Sequence, residues 1–298
     1  MRRTTDFRPF YTVDRGFTLV EMIVSIVIAG ILIGLVGMFG RNQIDAYSDI
    51  TNRVELADTA DGTVRRIARD LRTALPNSVR VSGDFVEFVP IRDAGRYRVQ
   101  PGGVAIPNDA LCPVQANDDP LEFGNDASSA FDVLGPAVAI AAGERLVVYN
   151  LGQDTSDVYQ DAASSNTRAP TTTGAYLCKI AYGGGAFLLA SPQARFQIVA
   201  TPVSYHCDLA AGQLVRRWGY GFIAAQPTDF TSVAHSSAVL ADNVTTCNFS
   251  YNPAVSLQRD GLVVFRLSLV RNGETVKVPL TLAARPGPAD GRGVGPAR

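Results

Sequence analysis

The sequence predicts an α+β chain: one long N-terminal helix, then a β-rich head. Three observations carry this. Met22 to Phe39 (MIVSIVIAGILIGLVGMF) holds no charged residue. Apolar residues then recur mostly at three- or four-residue spacing as far as Leu75, where Pro76 intervenes, which is helical periodicity with a stop signal. From Asn77 onward short β-patterned runs alternate with turn-rich stretches, and the last two flank Asn272-Gly273, a strong hairpin signal.

The totals set bounds. A chain of 298 residues, 46% apolar and 18% charged, is globular in composition rather than disordered. It holds one large domain or two ordinary ones. With 27 basic against 28 acidic residues there is no global positive field, so nucleic acid is not an expected partner.

The first element is the apolar run. As a helix its 18 residues span about 27 Å, close to the hydrocarbon thickness of a bilayer. On its N-terminal side Arg2, Arg3, Arg8 and Arg15 outnumber Asp6 and Asp14. The positive-inside rule therefore places that end in the cytoplasm and everything after Gly40 outside. A cleaved secretory signal is a poor fit: the run is too long, and Gly37-Met38-Phe39-Gly40 does not resemble an A-x-A site. A plain single-pass anchor explains the run but not Glu21 at its start, since an ionisable group inside a bilayer costs at least ~2.5–3.5 kcal/mol.

Gly16-Phe17-Thr18-Leu19-Val20-Glu21, after a basic leader and before an unbroken apolar helix, resembles the motif of type IV prepilins. The resemblance implies a type IV pilin-like fold, with the long helix packed on a β-rich periplasmic head. It implies that a membrane prepilin peptidase cuts between Gly16 and Phe17 and methylates the new amino terminus of Phe17. Residues 1–16 are then a cytoplasmic leader, and 17–40 a transmembrane and assembly helix retained in the mature chain. Glu21 becomes its fifth residue. The ammonium created on Phe17 offsets the cost of burying that carboxylate. In such families the ammonium is thought to come from a neighbouring subunit; pairing within one chain is the alternative, because Phe17 and Glu21 stand at i, i+4. Implied partners are the peptidase, other major and minor pilins, and an inner-membrane assembly platform. The implied location is the bacterial inner membrane, then a pilus fibre or its tip. One departure is the absence of a proline near mid-helix, where the chain reads Gly37-Met38-Phe39.

Gly30-x-x-x-Gly34 on this helix reads either as a close-packing face or as the ordinary glycine enrichment of membrane helices. Residues 41–76 form the amphipathic half, with a stripe of Ile44, Tyr47, Val54, Ala57, Val64, Ile67, Ala68, Leu71 and Leu75. Gly62 is a candidate kink. Arg65, Arg66, Arg69 and Arg72 form a solvated face or a docking face, with Asp61–Arg65 and Arg66–Asp70 spaced as ion pairs.

Residues 77–284 read as the head. Strands are expected around Ser82-Gly83-Asp84 and at 145–151, 175–181, 186–190, 195–207, 214–223 and 243–252, then in the final hairpin. Residues 101–143 and 152–174 read as long loops, and 285–298 as a disordered tail. Segments 65–91, 202–208 (PVSYHCD) and 243–251 (NVTTCNFSY) resemble minor pilins of MSHA (mannose-sensitive haemagglutinin) pilus systems.

Outside the membrane disulfides are permitted. Cys112, Cys178, Cys207 and Cys247 allow three connectivities. Cys112–Cys178 with Cys207–Cys247 is favoured, because the latter two sit in or beside strand-like runs; free buried thiols are the alternative. His206 and His235 lack H-E-x-x-H spacing, no serine lies in G-x-S-x-G, and the glycines of YGGGAF (182–187) read as a turn. No catalytic residue, cofactor or resident metal is expected, and the chain is not expected to be an enzyme. Asp118, Asp119, Glu122 and Asp126 read as a solvated acidic loop, with Ca²⁺ as the minority reading. Trp218, Tyr220 and Phe222 read as packing residues or a stacking surface. The function expected from the resemblance is a minor pilin that initiates or caps a type IV, MSHA-like pilus. A minor pseudopilin of a type II secretion system and a tethered adhesin-like head are the alternatives.

Overall fold

The computed structural model describes residues 16–101, 112, 119–153, 156–160, 166–252 and 261–284. The basic leader, Asp118 and the tail 285–298 lie outside them. The chain divides into two units, one ending at Asn52 and the other starting at Arg53.

The single long helix, α1, spans Leu19–Arg72. In the first unit its apolar stretch Leu19–Phe39 is 21 residues long and unburied. At 1.5 Å per residue it is about 32 Å long, enough to cross a membrane by length and composition. In the second unit α1 buries Leu56, Ala60, Thr63, Ile67 and Leu71, a clean three-and-four spacing. The expected stripe differs in its first half: Val54 and Ala57 are exposed, and Leu56 and Ala60 are buried in their place. Periodicity alone does not distinguish two neighbouring faces when both carry apolar residues. The helix also passes Gly62 without interruption.

The helix ends three residues before the expected position because the sheet captures its backbone. The Thr73 and Ala74 amides close tight turns onto Asp70 and Leu71. Leu75 N–H already donates to Val89 O at 2.7 Å, and Ala74 bridges Pro90.

The strands are β1 (Arg80–Ser82), β2 (Phe85–Phe88), β3 (Ile91–Tyr97), β4 (Ala130–Leu134), β5 (Val138–Ile140), β6 (Arg145–Val147), β7 (Thr167–Pro170), β8 (Gly174–Leu177) and β9 (Lys179–Gly183). They continue with β10 (Arg195–Val199), β11 (Val203–Asp208), β12 (Gln213–Trp218), β13 (Ser236–Ala241), β14 (Val244–Asn252), β15 (Gly261–Arg271) and β16 (Glu274–Ala284). Several differ from expectation. The stretches read as loops contain β4, β5 and β7, and β3 and β13 carried too little apolar alternation to be read as strands. Residues 186–190 form no strand; Phe187 is an interior plug making one bridge to Phe123. The strand expected at 214–223 stops at Trp218, where Gly219 takes a positive φ of 77° that side-chain-bearing residues avoid.

The head has two parts. An antiparallel sheet, β1-β2-β11-β12-β13, and a three-stranded sheet, β14-β15-β16, share one core with α1 that includes Ile67, Phe88, Tyr205, Phe249, Phe265 and Leu269. Between β2 and β11, neighbours in that sheet, the chain leaves to build a closed six-stranded barrel, β10-β3-β4-β9-β7-β6. Its interior is aromatic: Phe131 meets Phe196 edge-on at 5.3 Å, with Tyr97 and Tyr182 beside it. Phe196 lies so close to Gly95 that a Cβ there would sit 2.6 Å from the ring. The barrel is rooted where its first and last strands pair: Ile91 opposes Val199, and Ala200 N–H donates to Pro90 O at 3.0 Å. Leu75, Val89, Val147, Val158, Tyr159 and Val199 fill that root.

Candidate functional site

Gly16, Phe17 and Thr18 precede the first helical turn. Phe17 is 79% exposed, and nothing lies within 4 Å of where a Gly16 Cβ would be. The Gly16–Phe17 bond therefore lies in non-helical, accessible backbone, the form a peptidase needs. Thr18 caps the helix: its Oγ1 accepts the Glu21 N–H at 3.3 Å. Thr18-Leu19-Val20-Glu21 is thus a capping-box sequence, a signal present in the sequence that the motif overshadowed. The Ser25 hydroxyl donates to Glu21 O at 2.7 Å. Glu21 sits in the first turn and is exposed; among the described residues its carboxylate has no partner. Nothing lies within 4 Å of the Cβ positions of Gly30, Gly34 and Gly37.

Cys112 is bonded to Cys178, and Cys207 to Cys247. The second bond joins β11 to β14, and so one sheet to the other across the main core. Arg65, Arg66, Arg69 and Arg72 are exposed, and Arg65 pairs with Asp61 at 2.7 Å. The expected Arg66–Asp70 pair is not formed. Asp70 turns to the sheet, where it accepts from Tyr205 OH at 2.7 Å and Arg216 Nε at 3.0 Å. Burial and the neighbouring Asp70 carboxylate push the Tyr205 phenol far above its ordinary range.

His206 is half-buried on β11. It stacks on Phe85 at 3.9 Å, and burial with the Arg217 charge lowers its pKa. His235 Nδ1 lies 2.7 Å from Val233 O. In YGGGAF, Gly184 and Gly185 take positive φ and Arg168 Nε donates to Gly185 O at 2.8 Å. Asp119 pairs with Lys179, Glu122 accepts from Asn125, and Asp126 accepts the Ala186 amide. Among the described residues no three His, Cys, Asp or Glu side chains converge as a metal site would require.

Two features escaped the sequence reading. Glu87, fully buried on β2, accepts from Arg80 Nε at 2.5 Å and Tyr220 OH at 2.9 Å. Burial raises its pKa and Arg80 opposes that rise. Arg80 also donates to Ile223 O and Ala224 O and lies 3.5 Å from the Tyr159 ring centre. Tyr220 is therefore committed to this network rather than to a stacking surface. The second feature is a cleft of about 1000 Å³ at the barrel end away from its root. Tyr97, Leu121, Phe123 and Leu134 line it, with Arg96 at its rim and Arg98 held by Asp132 at 3.4 Å.

Residues 12–37 match a family model described as the prokaryotic N-terminal methylation motif. No curated protein and no solved structure gives a significant match. The motif supports a subunit of the type IV pilin or pseudopilin kind, cut by prepilin peptidase and assembled with other pilins. The apolar helix and β-rich head fit that α+β layout.

Proposed function

We propose that this chain is a non-enzymatic minor pilin of a type IV, MSHA-like pilus, of the MshO kind, which joins a few other pilins to initiate or cap the fibre. The carrying observation is the methylation motif over residues 12–37 running directly into an unburied apolar helix. Accessible backbone at Gly16–Phe17 and an exposed Glu21 at the helix start, unpaired among the described residues, support the same reading. The chain is then the substrate of the peptidase, with its head periplasmic, and fibre growth is powered by a separate ATPase. A type II secretion pseudopilin would share this N-terminus; general-secretion genes beside this one would favour it. The barrel-end cleft supports a second reading, a tethered binding head displayed by the fibre.

The test is mass spectrometry of the mature N-terminus in cells with and without the prepilin peptidase. A species starting at N-methylated Phe17, present only with the peptidase, is expected. A chain that stays uncut in both overturns the assignment.

A further inference from the structure

Strand edges offer unpaired backbone groups to any extended chain, and soluble proteins guard them with short strands, charge or proline. Most edges of this head are guarded in those ways; β14 is long and uncharged but is held against the neighbouring sheet by the Cys207–Cys247 bond and by its Val244 N–H, which donates to Gly212 O at 2.9 Å. β1 and β5 have three residues each and β8 has four. β16 is long but carries Lys277 and Pro279. β13, the far edge of the five-stranded sheet, runs for six residues, Ser236-Ser237-Ala238-Val239-Leu240-Ala241, without charge or proline. Its first four residues are exposed, and Val239 is 48% exposed. Among the described residues no strand pairs with its outer edge. The Thr63 hydroxyl reaches the Leu240 carbonyl at 3.2 Å, which marks where α1 closes over the strand and leaves the residues before Leu240 open.

Beside this edge lies a groove of about 520 Å³ between the α1 turn at Glu55–Thr59 and residues 239–243. Its rim carries Glu55, Asp58 and Asp242, and only Arg271 opposes them, bound to Glu55 at 2.7 Å. The rim is therefore net negative. An open strand edge selects an extended chain through backbone hydrogen bonds, and an acidic rim selects a basic one.

We propose that the outer edge of β13 receives an extended, lysine- or arginine-bearing segment of a different subunit of the same fibre, added as a further strand of the sheet. This rests on the pilin-type reading above. The added strand pairs with residues 236–239, and its basic side chains lie against Asp58 and Asp242.

The test uses the full-length protein in cells that make the other pilins, with the photo-crosslinker p-benzoylphenylalanine at Ser237 and, as control, at exposed Thr281 on β16. The expected adduct forms at Ser237 but not at Thr281, and peptide mapping places it in a basic extended segment of another processed subunit. Val239→Lys and Asp58→Lys, both at exposed positions, each lower its yield about tenfold or more through like-charge repulsion, while Val239→Thr preserves it. An adduct mapping to a helix, to an acidic segment or to a second copy of this chain overturns the proposal. So does a missing Ser237 adduct when the chain starts at Phe17 and is present in the fibre. A chain that stays uncut and outside the fibre overturns the pilin-type reading, and the proposal with it.

Discussion

Replacing both Cys207 and Cys247 with alanine tests how the head is held together. The bond closes a loop of sequence separation 40. In the chain-entropy account, opening it restores unfolded-state freedom equivalent to about 4 kcal/mol. Both sulfurs are also buried in the core shared by α1 and the two sheets, so losing their packing adds about 1 kcal/mol. The expected total is about 5 kcal/mol, or roughly 10–20 °C in Tm for a head of this size. Cys112–Cys178 spans a separation of 66, and its entropic share is again about 4 kcal/mol. Its double alanine variant should therefore lose slightly less, because Cys112 is not in that core. The assay is urea unfolding of detergent-solubilised protein, followed by the fluorescence of Trp218. This is the only tryptophan of the chain, and it lies on β12 beside β11. A loss below about 1 kcal/mol for the Cys207/Cys247 variant refutes the reasoning, since α1 and the shared core would then hold the sheets together unaided.

Two further outcomes concern buried charge. Arg80→Met strands the Glu87 carboxylate in the core and should cost about 3–5 kcal/mol in urea unfolding; a combined Arg80→Met/Glu87→Leu variant should recover much of that loss. His206 titrates below its ordinary value of 6.5 when folded. The unfolded chain therefore takes up its proton first as pH falls, so this residue's contribution is whole above about pH 6.5 and declines as pH drops toward its folded pKa. His206→Phe should flatten that part of the stability profile between about pH 7.5 and about pH 5.5.

The parts of the fold legible in the sequence are those with strong local signals. The charge-free run, the Asn272-Gly273 hairpin and the pair of strands around Ser82-Gly83-Asp84 each carry their own periodicity or turn chemistry. The barrel was not legible, because closure depends on pairings between distant strands such as β3 with β10 and β6 with β10. β3 reads Ile-Arg-Asp-Ala-Gly-Arg-Tyr, with Arg92 and Arg96 on its exposed face, Asp93 on the other, and Gly95 admitting Phe196; locally it looks like a loop. The Arg66–Asp70 pair failed for a related reason. Helix spacing permits it, but a partly buried Arg216 and a tyrosine hydroxyl offer Asp70 a drier and better-satisfied partnership. At the N-terminus the cleavage motif was legible, whereas the capping role of Thr18 was hidden because one residue, Glu21, serves two signals.

That double use can be separated. A newly cut chain carries an ammonium on Phe17, two residues before the first helical residue, Leu19. A cation at a helix N-terminus opposes the macrodipole, while an acidic residue in the first turn is favoured by it. Glu21 thus has a local reason to exist within one chain, as the acidic residue of the first helical turn and counter-charge to its own terminus. Under the proposed function it also has an assembly reason, as a carboxylate for a neighbour's ammonium. Glu21→Gln keeps the capping geometry, since glutamine serves in a capping box, but removes the charge. Glu21→Leu removes the charge and the polarity while leaving the backbone N–H that Thr18 caps, and Thr18→Ala removes the cap alone, a loss of about 1 kcal/mol. The measurement is the mature N-terminus by mass spectrometry, together with the fraction of chain recovered in sheared fibres. All three variants should be cut after Gly16. Thr18→Ala should enter fibres, while Glu21→Gln and Glu21→Leu should both fail to do so. Fibres containing Glu21→Gln at normal levels would remove the charge from the mechanism.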